Sequence, residues 1–522
     1  MKKTFNVILL LCILLSLVLS GCASSSKIKV EAVDKTIPDN SRIPSKVAKV
    51  FDYEDGSQVV VKVYNRHMDE YPCYPLFKYV DTMNQALRYK LAHPTEDVTV
   101  HFAMYHLALN TYYYFNENDP KYGEITSDYI PGTTENIMQA AVRLAKHQVT
   151  VKFLDQAMIG KDFEPYMNEE CITDSSKKVK DYLTYWYARW GGASEEQMHC
   201  KFITVNKVMD DNGKEFSDVV YLASSNIDPL YDNFFKSTQE RAQSGMLIMG
   251  NKGLYDAFNK YQQIICRNYD NQKGFWKEVK EAHAAGTLNY RDKYFNTHFT
   301  PVLSVIEPDP FAPDKYSPEV DKESAWDTEN NVFAKYVDEM AASDQGPRLF
   351  YANVYHYKTS YVDLFGWKLF NKLKGLYYAE GYDNSSCTYT KEEQEAEKAK
   401  KPKVNKKSPL TTKWVIETST TPHRFSNNSG FRSGMDMISD NQALYHKADK
   451  IYKTHCKDVI MSYTKDGLEK YVTITGSTNL KRDGNAQKAN ASVAVIEDGT
   501  DHSIFDAYKA FVDEIITTYR KK

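Results

Sequence analysis

The chain has 522 residues, 42% apolar and 26% charged, with 23 glycines and 18 prolines. This globular composition excludes a collagen-like, wholly disordered or coiled-coil protein, and at roughly 150 residues per domain it implies two to four domains, or two large ones. With 66 Lys plus Arg against 69 Asp plus Glu, the net charge of −3 gives no polybasic surface for nucleic acid, although a locally basic groove stays open.

The first residues set a compartment. Lys2 and Lys3 precede an apolar run from Val7 to Leu19, shorter than the roughly 20 residues of a membrane span. The run ends in Leu19-Ser20-Gly21-Cys22, which resembles the lipobox of a bacterial lipoprotein. That resemblance implies a signal peptide over 1–21 and lipidation of Cys22, placing the chain on the cell membrane, lipid-anchored on the extracytoplasmic side. Acyl chains on one cysteine suffice for anchoring, at about 0.8 kcal/mol per buried methylene. Residues 22–46, rich in Ser, Lys and Pro without helical periodicity, read as a flexible tether.

The remainder is written twice. An early strand, Val98–Tyr105, matches Pro347–Val354. A helical stretch follows in each half, Glu135–Lys146 and Tyr361–Leu376, and then a strand, Val149–Leu154 or Trp414–Glu417. Next come His199-Cys200-Lys201 and, 256 residues later, His455-Cys456-Lys457, each opening an apolar strand. Asp210-Asp211-Asn212-Gly213 and Lys465-Asp466-Gly467 mark the hairpin turns. The return strands, Val219–Leu222 and Tyr471–Ile474, lead into Ser224-Ser225-Asn226 and Ser477-Thr478-Asn479. An apolar strand (Met246–Met249; Val493–Ile496) and a closing helix complete each copy. Alternating strands and helices indicate an α/β fold, with one domain over 47–290 and a second over 291–522. The Lys- and Glu-rich stretch Glu392–Pro409 reads as an inserted charged loop.

This repetition has chemical content. In an extended strand alternate side chains share a face, so His199 goes with Lys201 and His455 with Lys457, while Cys200 and Cys456 point away as buried free thiols. Two halves facing each other across a pseudo-twofold axis would gather two imidazoles, two ammonium groups and two amides, a set suited to a phosphodiester. Lysines and amides hold the non-bridging oxygens, one imidazole attacks phosphorus, and the other protonates the departing alkoxide.

His-x-Lys followed by Ser-x-Asn, twice in one chain, resembles the phospholipase D superfamily and its HKD motif. The resemblance implies two duplicated α/β/α phospholipase D-like domains forming a pseudo-dimer, and a site at their interface that works as a phosphodiesterase without metal or other cofactor. It implies His199 as nucleophile forming a phosphohistidine, His455 as general acid, Lys201, Lys457, Asn226 and Asn479 as phosphate ligands, and Ser224 and Ser477 as supports. A single chain carrying both motifs is expected to act as a monomer. Two departures stand out. The Asp expected seven residues after each His is Asn206 or Ser462. The acid that normally orients the imidazole is missing from Gln243-Ser244-Gly245 and Asn490-Ala491-Ser492, where a neutral partner could still fix the tautomer. Asp228, Glu240 and Asp483 are the carboxylates that could take that place.

Other features have plainer readings. His356-Tyr357-Lys358 has the spacing but no following hairpin, so it reads as ordinary structure, and His101, His106 and His446 as core or surface residues. Neighbouring His and Cys on opposite strand faces cannot readily share a zinc ion. Tyr112-Tyr113-Tyr114-Phe115 reads as packing. The substrate expected first is a phospholipid, cleaved by hydrolysis or transphosphatidylation beside the membrane that anchors the enzyme. The alternatives are a single-strand nuclease of the same superfamily, for which Ser224–Asp228 and Thr238-Gln239-Glu240 speak, and a catalytically silent binding descendant.

Overall fold

A computed structural model describes residues 43–519 apart from 68–69, 71–72, 116–124, 127, 158, 191–196, 228–240, 303–325, 358–363, 379–402, 417–434, 440–445, 448–449, 452–453, 482–484 and 486–487. The signal peptide, Cys22 and most of the tether lie outside the described residues, as do Asp228, Glu240, Asp483 and most of the charged insertion. Among the described residues no helix is long and apolar enough to cross a membrane.

The first sheet is built from β1 (Val47–Asp52), β2 (Gln58–Val63), β3 (Thr99–Met104), β4 (Thr150–Asp155), β5 (Leu183–Tyr187), β6 (Lys201–Met209), β7 (Glu215–Ala223) and β8 (Gly245–Met249). Its order is β1-β2-β8-β7-β6-β3-β4-β5. The second is built from β9 (Phe295–Phe299), β10 (Arg348–Val354), β11 (Leu410–Ile416), β12 (Met435–Ser439), β13 (Lys457–Lys465), β14 (Leu468–Gly476) and β15 (Ala491–Asp498), in the order β9-β15-β14-β13-β10-β11-β12. Without β1 the two orders are the same walk, and each pairing keeps its sense. The pairs β3–β4, β4–β5, β10–β11 and β11–β12 are parallel and the rest antiparallel. The fold is therefore α/β and duplicated.

The longer helices among the described residues are α1 (Tyr74–Ala92), α2 (Ile137–Lys146), α3 (Lys252–Arg267), α4 (Gln272–Ala284), α5 (Val332–Ala341), α6 (Leu364–Tyr377) and α7 (Ser503–Tyr519). Asn side chains set several of their starts. Asn136 closes a capping box with Gln139 at α2, and Asn251 and Asn331 accept backbone N–H groups at α3 and α5. One apolar core joins the first sheet to α1 and α2 through Tyr79, Phe102 and Leu144, and another joins the second sheet to α5 and α6 through Phe333, Leu369 and Trp414. A third takes residues from both halves, among them Phe202, Phe258, Phe295, Ile460, Val493 and Phe511. Each fully buried side chain of this kind is worth roughly 1.5–3 kcal/mol, so the seam between the halves is a core in its own right. Lys49 of β1 adds an ion pair across it, its Nζ 2.8 Å from Oε1 of the buried Glu497.

The two early strands correspond one residue differently from the sequence match. Met104 pairs with Lys201 and Val354 with Lys457, so Tyr105 corresponds to Tyr355 and not to Val354. Both stretches carry apolar residues on both faces, so their pattern does not fix the register, and a one-residue slip exchanges the two faces.

Candidate active site

β6 and β13 are the central strands of their sheets, and the His-x-Lys triplets stand where they begin. The backbone before each strand crosses to the opposite half. Met198 bridges Ala489, Thr454 bridges Ala242, and the His455 N–H donates to the Ala242 carbonyl at 2.9 Å. His199 and His455 are buried, each 5% exposed, with Lys201 and Lys457 beneath them at 1% and 0%. Lys201 Nζ donates to the His199 carbonyl at 2.9 Å; Lys457 Nζ donates to the His455 carbonyl at 2.5 Å and to Ser224 of the other half at 3.4 Å. The two pairs thus meet at the seam.

Burial pushes both imidazoles well below the usual histidine range, and nearby cations push further: Lys201, Lys488 and Lys457 around His199, and Lys457, Lys201 and Arg241 around His455. Both rings are neutral at neutral pH. The charge of each lysine also acts on the other half's histidine, Lys457 on His199 and Lys201 on His455. His199 Nδ1 lies 2.8 Å from Asn490 Oδ1 and 3.0 Å from the Ser477 carbonyl. Both are acceptors, so Nδ1 carries the proton and Nε2 holds the lone pair, the tautomer a nucleophile requires. The partner is an amide of the opposite half, at the place where the sequence lacks a carboxylate and allows a neutral partner to fix the tautomer.

Asn226 and Asn479 are buried just beyond the ends of β7 and β14. Ser224 Oγ donates to Gln243 Oε1 at 2.7 Å and Ser477 Oγ to the Ala491 carbonyl at 3.2 Å, so both hydroxyls brace the loops that carry the amides. In matching fashion Ser224 N–H donates to Ser244 and Ser477 N–H to Ala491. Gln243 therefore corresponds to Asn490, and Arg241 to Lys488.

Four residues at the site escaped the sequence reading. The Tyr105 ring lies 5.1 Å from the His199 ring and 5.1 Å from Lys201 Nζ; the Tyr355 ring lies 4.7 Å from the His455 ring and 5.4 Å from Lys457 Nζ. Arg241, 9% exposed, has its guanidinium carbon 5.3 Å from the Tyr355 ring, and Lys488, 6% exposed, donates to Gln197 Oε1 at 2.7 Å. The repeated Tyr-His dipeptide after β3 and β10 was the available signal, hidden by the slipped register.

The two positions that depart from the HKD pattern do other work. Asn206 accepts from Thr99 N–H at 2.7 Å and donates to the Asp97 carbonyl at 2.9 Å, fastening the start of β3, and Ser462 sits in β13 opposite Leu349 and Tyr471. Cys200 and Cys456 are buried free thiols in the shared core. Among the described residues no group of three or more His, Cys, Asp or Glu side chains could hold a metal ion. His101 is a core histidine, its Nδ1 2.7 Å from Gln262 Oε1 and its pKa pushed down to about 4, chiefly by burial. Tyr357 is fully buried and donates to the Gly366 carbonyl at 3.0 Å, while Lys358 lies outside the described residues.

No family model matches this chain, and no curated protein does. Among solved structures it is similar to a phosphatidylserine synthase of Haemophilus influenzae, at 9% identity and TM-score 0.44, covering 91% of this chain and 89% of that one. It is also similar to yeast tyrosyl-DNA phosphodiesterase, at 10% identity and TM-score 0.32, covering 79% and 86%. A third is Nuc of Salmonella typhimurium, a phospholipase D family member, at 11% identity and TM-score 0.20, covering 44% and 97%.

Proposed function

We propose that the chain is a metal-independent phosphodiesterase of the phospholipase D superfamily that cleaves phospholipids, by hydrolysis or transfer, from a lipid anchor at Cys22 on the extracytoplasmic face of the membrane. The observation that carries the chemistry is the meeting of two neutral imidazoles and two buried lysines, drawn from sequence-distant halves, at one seam. His199 Nε2 attacks phosphorus, the bond to the head-group oxygen breaks, and His455 gives that oxygen a proton. The phosphohistidine is resolved when water or an alcohol attacks phosphorus, His455 takes the proton of the attacking hydroxyl, and the phosphorus–nitrogen bond breaks. Lys201, Lys457, Asn226 and Asn479 hold the non-bridging oxygens. The anionic diester also offsets the lysines that keep His455 neutral, so substrate binding itself favours the imidazolium that the first step needs.

The test is turnover by the full-length chain in neutral detergent, with labelled phospholipid, a bis-aryl phosphodiester and single-stranded DNA offered in parallel. The expected result is cleavage of phospholipid and of the aryl diester, unchanged by chelator, and lowered at least about a hundredfold by either His199→Ala or His455→Ala. Undiminished rates in both variants would remove the site; cleavage of DNA alone would turn the reading to a nuclease.

A further inference from the structure

Asn490, whose amide oxygen meets the His199 imidazole, also meets a threonine. An amide oxygen and an amide nitrogen have nearly the same shape, so an amide orients an imidazole only if something fixes which of the two it presents. A turned Asn490 would aim a donor at Nδ1, draw the ring proton to Nε2 and remove the lone pair that attacks phosphorus.

Thr300 stands just past the end of β9 and Asn490 just before the start of β15, where the antiparallel pairing of those strands continues, and Thr300 N–H donates to the Asn490 carbonyl at 3.1 Å. Both side chains are fully buried. The Thr300 hydroxyl donates to the Lys488 carbonyl, and it accepts from the Asn490 backbone N–H at 2.9 Å and from Asn490 Nδ2 at 3.3 Å. A hydroxyl has one proton and two lone pairs, so these three bonds fill it. Its proton is engaged by a carbonyl, which can only accept, and so it meets the Asn490 side chain as an acceptor. The amide nitrogen then faces Thr300 and the amide oxygen faces His199. In the first half the corresponding place, opposite Gln243, is Arg66, and Gln243 accepts the Ser224 hydroxyl instead. The threonine thus stands behind one histidine of the two.

We infer that Thr300 is a positioning residue for the nucleophile: its hydroxyl fixes the Asn490 amide and, through it, the His199 tautomer whose lone pair is on Nε2. The inference rests on the proposed reaction, in which His199 attacks phosphorus.

The test is steady-state cleavage of the bis-aryl phosphodiester by the full-length chain in neutral detergent, at a pH well above the acidic limb. Wild type, Thr300→Val, Thr300→Ala and Thr300→Ser are compared, and each is also made together with Asn490→Asp. A carboxylate presents an oxygen whichever way it turns, so beside Asn490→Asp the threonine has nothing to orient. Thr300→Val and Thr300→Ala are expected to lower kcat about fivefold with KM within about twofold of wild type, while Thr300→Ser stays within about twofold in both constants. Beside Asn490→Asp the loss from either hydroxyl-free variant should shrink to within about twofold. If Thr300→Val fails to fold, the Thr300→Ala and Thr300→Ser pair, which differ by the hydroxyl alone, decides. Wild-type kcat in the hydroxyl-free variants overturns the inference and leaves the phosphodiesterase standing. So does an equal loss with and without Asn490→Asp, the result of a merely structural support for the Lys488 segment. No cleavage by wild type overturns both.

Discussion

His199 and His455 occupy corresponding positions in surroundings that are not the same. Asn490 accepts the Nδ1 proton of His199 at 2.8 Å, whereas the corresponding residue of the other half, Gln243, accepts the Ser224 hydroxyl at 2.7 Å. The amide at 490 orients the ring and favours its charged form less than burial and Lys201 oppose it, so the His199 pKa lies well below the usual histidine range. Replacing Asn490 by Asp keeps the acceptor and adds the charge. The imidazolium then becomes easier to form, and the acidic limb of the kcat/KM profile should move to higher pH, since fewer His199 rings keep a free lone pair there. Replacing Asn490 by Leu removes one of the two Nδ1 acceptors and leaves the Ser477 carbonyl at 3.0 Å, and a ring held less firmly should cost on the order of tenfold in kcat. Comparing pH–rate profiles of the three proteins separates the two effects. An unmoved acidic limb in Asn490→Asp would mean that His199 is not the group whose neutral form is required.

The strands that deliver the amides show how closely the elements are fitted. Gly476 ends β14 at φ +144°, opposite Ser492, and a Cβ there would stand 2.4 Å from the Ala491 carbonyl. In the other half the tight place is on the partner strand, where Ala223 faces Gly245 and a Cβ on Gly245 would stand 2.4 Å from the Tyr221 hydroxyl. Gly476→Ala must therefore push β15 from β14 where Ser477 is tied to Ala491, with Asn479 two residues on. It should cost about 1–3 kcal/mol of stability, read as a lowered midpoint in a denaturant melt, and lower activity as well. Much at this scale was legible beforehand. The hairpins were announced by turn residues that the backbone requires, for Asp466 and Gly467 take φ of +54° and +76° and Gly213 takes +77°. The four His and Lys residues could be placed because strand alternation alone puts them on one face. Register in the early strands was not legible, because β3 and β10 carry apolar residues on both faces, and Tyr105 and Tyr355 were lost with it. Arg241 and Lys488 were hidden by loop length: Ser224 lies 20 residues from Ser244, while Ser477 lies 14 from Ala491. Unequal loops break the spacing on which a repeat is recognised.

For the molecule as a whole the seam is both the proposed active site and a core, and one carboxylate sits in it on the face turned away from the histidines. Asp458 follows Lys457, is 2% exposed, and accepts the Ser244 hydroxyl of the other half and the Thr475 hydroxyl of its own, each at 2.7 Å. Burial pushes its pKa up to about 7, against the smaller opposing pull of those two hydroxyls, Cys456 and Lys457. Burial raises the phenol of Tyr508 on α7, and the nearby Asp458 charge adds to it. A folded pKa above the unfolded one means that the native state holds the proton more tightly. This stabilising contribution is fully present below the unfolded value, near 4, and is lost as pH rises through about 7. The His199 and His455 imidazoles act with the opposite sign, since their folded pKa values are depressed and acid favours the unfolded chain. Asp458→Asn isolates the first effect: the amide accepts from the same hydroxyls, cannot ionise, and leaves the histidines in place. The stability of the variant relative to wild type should therefore rise by up to about 4 kcal/mol between pH 4 and pH 8, reaching a plateau above neutrality. Denaturant melts of both proteins at four or five pH values read that difference directly. If it stays flat across the range, Asp458 titrates in the folded protein as it does in the unfolded chain, and its charge is tolerated at the seam.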